Sequence, residues 1–369
     1  MKVILALLFF VPQILFSQEN PKLIKSPADL DSIVYDISFP KVLSSELQFP
    51  FSGIEIIDSR FDTSKLGFTF DLNDKRLAYK DFKKIKLLNG VAENMRQFYN
   101  NYYKVCFNKS GDKLLIVIKN LWISNLPVSL QSEREYELEH PSLQDIYIKI
   151  EYYLHKGDKY YPLIRIDTLY QLKEENLKTQ GTDFKLNNLS FFNYTIKELI
   201  EKTDFDKLVE KITDKRKFTI GEISAFNEKR FSLPILKAVK YNEGVFLTSN
   251  EFINNTPSFK NFTVNKKGKL ATYGNGREKS VASWAFADSN GLHLRSAKDV
   301  EIFRTGNTFE FFSEEDIHVS RTITGNLIDV FSFIPTPGIF MPPLYQPSQT
   351  RIKTMIIPRQ LNMDTGEIY

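Results

Sequence analysis

GIEIIDSRFDTSKLGFTF, residues 53 to 70, is the stretch on which the fold turns. Ile54-Glu-Ile-Ile57 is a short β-branched run, the composition of a strand. It ends in Asp58-Ser59-Arg60, and a second run starts at Lys65-Leu-Gly-Phe68. A periodic segment follows from Tyr79 to Lys104, with Phe82, Ile85, Leu88, Ala92, Met95, Phe98 and Tyr102 at three- to four-residue spacing. That spacing predicts one long helix with a single apolar stripe, and Gly90 inside it weakens the pattern. The run LLIVIKNLWI in Lys113–Ser124 comes next. Its first half is continuously apolar, as a strand covered on both faces must be. The whole reads as a βαβ-like unit with a polar loop at its mouth.

Further along, Ile146, Ile148 and Ile150 alternate with Tyr147, Lys149 and Glu151, a half-buried strand. Lys156-Gly157-Asp158-Lys159 turns it back into Tyr160–Leu172. Ser190 to Ile212 predicts a second helix, with Thr203-Asp204 as a break and new cap. Residues 33–216 are thus expected to form a mixed sheet with helices on one side. Residues 217–369 are expected to be mostly antiparallel β structure: strands over Leu233–Leu247, then runs at Ala282–Ala287, Leu292–Ser296, Val300–Arg304, Thr308–Phe312 and Ile317–Arg321, and a last strand over Ile352–Ile357. Asn290-Gly291 and Thr305-Gly306-Asn307 are the turn signals between them. The fold class is α+β. The proline-rich segment 334–347 is incompatible with a helix interior, and with Asp329 it argues against a membrane hairpin over Leu327–Leu344.

The N-terminus reads as a secretory signal over residues 1–18: Lys2, an apolar run from Val3 to Phe16, then Ser17-Gln18. Residues 19–32 are expected to be a flexible lead. Leu15-Phe-Ser-Gln18 is similar to signal ends common in the Bacteroidetes, which implies export. Cys106, flanked by Val105 and Phe107, is the single cysteine of 369 residues, so no internal disulfide can form and the fold must rest on its core. With 42% hydrophobic residues, 31 Phe and 17 Tyr, there is material for that core. A net charge of +4 is too small for a nucleic-acid partner, which calls for clustered basic residues.

Chemistry-bearing patterns are sparse. The histidines, His140, His155, His293 and His318, are too far apart in sequence for a zinc-ligand pattern, and no P-loop, nucleophile elbow or His-Glu-x-x-His is present. No metal or other cofactor is expected. Asp58, Arg60 and Asp62 are the best candidate site: carboxylates at a strand end can hold a cation or a substrate amine, or Asp58 can cap the loop and pair with Arg60. Trp284, with Phe286 and His293, can line an aromatic binding face or belong to the core.

The order strand, Ile56-Ile57-Asp58-Ser59-Arg60, Leu66-Gly67 and amphipathic helix resembles YajG-like envelope lipoproteins and the N-terminal domain of TolB-type translocation proteins, over about a fifth of the chain. The lipidated cysteine of such lipoproteins is missing. Gly244-Val-Phe-Leu-Thr248 and Trp284-Ala-Phe-Ala-Asp288 resemble a β-rich domain of uncharacterised exported Bacteroidetes proteins. The resemblance implies a periplasmic or outer-membrane-associated, non-catalytic protein that binds another envelope component in an assembly or scaffold role. It carries no transmembrane span in its mature form, and a peripheral membrane contact stays open. The alternatives are a cell-wall or polysaccharide hydrolase using loop carboxylates such as Asp58 or Asp288, which needs two of them ~5–9 Å apart, and a carbohydrate-binding module using Trp284.

Overall fold

The computed structural model describes residues 25–35, 47–70, 82–109, 111–125, 142–173, 188–212, 216–264, 270–274, 277–295, 299–321 and 349–369. The signal, residues 19–24 of the lead, His140 and the proline-rich segment lie outside these residues; residues 25–32 are not a flexible lead, because Pro27–Asp29 forms a 3-10 turn, Leu30 is buried and β1 begins at Ser32. The fold is α+β, with one mixed sheet and further antiparallel sheets.

The mixed sheet has seven strands: β1 (Ser32–Tyr35), β2 (Ile54–Asp58), β3 (Gly67–Phe70), β4 (Phe82–Leu87), β5 (Lys113–Asn125), β6 (Ser142–Lys156) and β7 (Lys159–Lys173). Their order is β1-β4-β3-β5-β6-β7, with β2 also paired to β5. The apolar run of β5 is central, as its composition demands. Leu114, Ile116 and Ile118 enter the main core beneath the helices, and Leu115 and Val117 enter a smaller cluster on the opposite face. The turn at Gly157 forms as expected, with φ +63° at the glycine.

Tyr79–Lys104 is not one helix. Phe82–Leu87 is strand β4, antiparallel to β3 and parallel to β1, and only Gly90–Tyr102 is helical (α1). The apolar spacing fits both: Ile85 and Leu87 look into the main core while Phe82 looks the other way, the two-residue alternation of a strand. Pairing on both edges of β4 settles the choice. Asn89 and Gly90, both at positive φ (66° and 77°), make the corner between the two elements, so Gly90 starts the helix. The helix α1 then buries Val91, Met95, Phe98 and Tyr99. The expected break in the second helix is present: α2 (Asn188–Glu201) and α3 (Phe205–Glu210) are separated by Asp204, whose carboxylate accepts a hydrogen bond from Lys207 N.

Among the described residues the second half is mostly antiparallel sheet, with three helices besides. α4 (Ile220–Arg230) is capped by a Thr219–Glu222 capping box. It lays Ile223 against Leu115, Val117 and Tyr160, on the sheet face that α1 to α3 leave open. Part of Leu233–Leu247 is a short helix, α5 (Pro234–Lys237), and the polar segment after it holds α6 (Ser249–Ile253). The strands β8 (Gly244–Phe246), β12 (Ala285–Asp288), β13 (Gly291–Arg295), β14 (Asp299–Thr305), β15 (Thr308–Arg321) and β16 (Gln349–Gln360) form an antiparallel sheet in the order β16-β15-β14-β13-β12-β8. The two runs expected at Thr308 and Ile317 are one strand. A smaller sheet joins β9 (Phe262–Val264), β10 (Leu270–Gly274) and β11 (Arg277–Ser280). The Asn290-Gly291 turn forms, but only Gly291 has positive φ, and the Asp288 carboxylate caps the amides of Asn290 and Gly291. The antiparallel sheet has its own core around Phe246, Phe252, Phe309 and Phe311. A third cluster, Phe68, Phe82, Trp122, Ile357 and Tyr369, joins the two halves.

Candidate functional site

The loop between β2 and β3 owes its shape to an unusual strand arrangement. Both strands lie parallel to β5, β2 beside Leu114–Ile118 and β3 beside Ile123–Asn125. They are consecutive stretches along one partner, and the chain leaves the sheet over residues 59–66. At the gap, β5 carries a register irregularity between Ile118 and Asn120. Arg60 fills it. Its guanidinium pairs with Asp58 through Nε (2.9 Å) and Nη2 (2.8 Å), and Nη1 donates to Lys65 O (2.7 Å) and Leu121 O (3.4 Å). Backbone carbonyls that a continuous strand would have satisfied are met by one buried side chain. The re-entry point must be glycine. Gly67 has φ +147°, and a Cβ there would lie 2.0 Å from Ile123 O.

Asp62 holds the amide of Ser64 (2.8 Å) and the ammonium of Lys65, and Lys65 also contacts Glu310 of β15. Gln360 Nε2 bridges both carboxylates, 3.1 Å from Asp62 and 3.3 Å from Glu310. Lys65 and Glu310 are 1% and 0% exposed, so this is a fully desolvated charge cluster between the halves. Burial opposes ionisation of Asp62, but Lys65 and Ser64 override it and hold the carboxyl below the usual aspartate range. Arg230, the last residue of α4, adds a second clasp. It donates to Ser59 O (2.8 Å), Lys119 O (3.2 Å) and the Asp364 carboxylate (2.7 Å), and its guanidinium lies over the Phe61 ring. The Asp364 carboxyl, too, is held low against its burial by Arg230 and Lys149.

The structure therefore brings Asp58, Arg60 and Asp62 together, in a joint whose charges are already engaged by one another. Trp284 is elsewhere, half-buried against Phe252 in the second core (centroids 5.0 Å apart). Trp284 and Phe286 do not share a face: Phe286 belongs to the cluster with Val245 and Leu270 and stacks on His293 at 4.6 Å. Asp58 and Asp288 sit in separate sheets, each committed to its own neighbours. Among the described residues no group of three or more His, Cys, Asp or Glu is placed to hold a metal ion. Cys106 is fully buried, and burial pushes its thiol up. Sequence reasoning missed Lys119, Arg230, Glu310 and Asp364. The charge inside LLIVIKNLWI and the charge inside TFEFF were the available signals, since a charge in an apolar strand needs a partner.

A sizeable opening lies at the far edge of the mixed sheet. It is a cleft of about 780 Å³, within the usual range for a ligand site. β7 forms its floor. Leu208 and Ile212, at the end of α3 and just beyond it, line one wall; Phe218, Ile223 and Phe226 line the other. Its carboxylates are engaged. Glu151 accepts from Lys119 Nζ (2.7 Å) and the Tyr153 hydroxyl (2.8 Å), and Glu222 is held in the capping box. Beneath it, burial, with help from Arg230 and Arg165, pulls the Lys119 ammonium below the usual lysine range despite Glu151. That ammonium lies 4.6 Å from the centre of the Phe226 ring. Lys211 and Arg216 line the cleft, are exposed, and have no ion-pair partner among the described residues.

No helix among the described residues is long and apolar enough to cross a membrane. Compared with protein-family models, curated proteins and solved structures, the chain matches none of them.

Proposed function

We propose that this chain is an exported, non-catalytic envelope protein that binds another envelope protein through the cleft beside β7. The observation that carries the reading is the character of that cleft: apolar and aromatic walls, engaged carboxylates, and two exposed cations with no ion-pair partner among the described residues. Exposed apolar surface rimmed by charge is what an interaction site offers. Phe226, at 61% exposure, is the most exposed aromatic of the cleft. The YajG-like and TolB-like resemblance of the Asp58–Gly67 stretch and the signal-like N-terminus supply the compartment. A photo-activatable cross-linker placed at Phe226 or Ile164 in intact cells is expected to yield one defined protein adduct. The same group at Val239, which is fully exposed and does not line the cleft, is expected to yield none. Cells with no protein adduct at the two cleft positions overturn the reading.

A further inference from the structure

We propose that the occupant of the cleft is an extended, acidic-ended segment of the partner, added as a strand to the edge of β7. This rests on the binding role above and goes further by assigning the mode and chemistry of recognition.

β7 is the last strand of its sheet. Among the described residues its outer edge is bridged by backbone pairing only at Tyr160, where Phe218 exchanges two backbone hydrogen bonds (2.8 and 2.9 Å). The ladder cannot continue from there. Two residues on, Pro162 has no N–H to give, and Leu163 is an extra residue between the pairs Tyr153–Pro162 and Tyr152–Ile164. Pro and a bulge are the devices that shield an edge from pairing. Beyond them the shielding stops. From Ile164 to Lys173 the edge runs on for about 30 Å at ordinary strand rise, with Ile164 and Leu169 39% and 40% exposed.

The cleft wraps the start of this edge, from Tyr161 to Arg165, and the open stretch runs out of it past Ile164. Tyr161, Leu163, Leu208 and Ile212 stand at the margin of the main core, and Phe218 and Ile223 at that of the opposite-face cluster. A strand lying between them would send successive side chains alternately to the two walls, so apolar residues at both parities fit at the cleft end. Main-chain pairing past the bulge would supply affinity. Lys211 and Arg216 select the sign of the incoming end, because the cleft's own carboxylates are already engaged.

The test uses the purified full chain and fluorescein-labelled nine-residue peptides with Val at both parities next to two terminal Asp and alternating Val and Thr beyond. Binding is read by anisotropy. Replacing the two Asp by Lys is expected to weaken binding at least ~10-fold, and a Lys211→Glu/Arg216→Glu chain is expected to reverse that preference. N-methylation along one edge of the peptide is expected to abolish binding, and along the other edge to leave it, since a strand pairs through one edge only. Equal binding of acidic and basic peptides, indifference to both methylation patterns, or displacement by dodecanoate alone overturns the proposal. So does a chain that sediments as a dimer through this edge, shown by dissociation in a Leu169→Lys chain. In each case a protein adduct at the cleft leaves the binding role standing, whereas absence of any adduct removes the role itself.

Discussion

Replacing Lys65 by methionine is expected to destabilise the joint far more than an average surface substitution. Methionine fills much the same space, so the change is chiefly electrostatic. The ammonium is 1% exposed and contacts both Asp62 and Glu310, which are 8% and 0% exposed. Without it two carboxylates remain out of water, with the Gln360 amide as their shared donor. Breaking a buried pair by removing one partner costs about 3–5 kcal/mol. With a urea m-value of about 3 kcal/mol/M for a chain of this size, the midpoint should fall by roughly 1–1.7 M. The chain holds two tryptophans, one per report: Trp122 lies in the cluster that joins the halves and Trp284 packs on the second core. Versions keeping only one of them, each compared with its own Lys65 parent, follow the two regions separately through urea fluorescence. The Trp122 signal should shift by the full amount. The triple change Lys65→Met, Asp62→Asn, Glu310→Gln removes every formal charge of the cluster and should recover at least half of the loss. A shift below about 0.3 M, under ~1 kcal/mol, refutes the electrostatic account. A triple variant no better than the single one places the cost in packing.

Acid should weaken the fold in a defined window. The carboxyls of Asp62 and Asp364 are held below their unfolded value, so the stability they contribute is fully present above about pH 5 and is lost as pH falls below about 4 through the folded values. Stability measured from pH 7 to 3 should be flat and then drop, and Asp364→Asn should lessen the drop; an unchanged profile in that variant contradicts the assignment. Gly67→Ala should cost upwards of about 3 kcal/mol, because Ile123 O occupies the place of the new methyl; a thermal midpoint within 2 °C of the parent disproves that. Cys106 should resist a maleimide in the native protein, given its burial and raised thiol, and should label at the rate of global unfolding in urea. Fast labelling without urea would show that the core around Phe49 and Tyr103 opens locally.

The sequence made the sheet partners legible where composition leaves one solution. A run such as Leu114–Ile118 has no polar face to expose, so it had to be central. The signal failed at Phe82–Leu88, because spacing of three to four residues serves a strand as well as a helix when neighbours cover both faces. It failed again at Ile220–Arg230, where Ile220 and Phe226 stay exposed and only Ile223 among the apolar residues is buried, so no apolar stripe marks the helix. The Asp58-Ser-Arg60 loop was correctly singled out as unusual, but its partners lie far along the chain. Nothing local to Lys65 tells that Glu310 will meet it, and nothing in Arg230 announces Ser59, Lys119 and Asp364. The cleft was invisible for the same reason: its floor, its two walls and its cations come from separate segments.

The ion pair between Lys65 and Glu310 spans 245 positions of the chain. A polypeptide made from its N-terminus therefore completes β2 and β3 with Asp62 as the loop's local counter-charge to Lys65, long before Glu310, the second one, exists. Until β15 emerges, Lys65 is better off in water than in the place it finally occupies. The joint can therefore close only once β15 and β16 have brought Glu310 and Gln360 to the loop, so its completion belongs to the end of the chain rather than to the strands it connects.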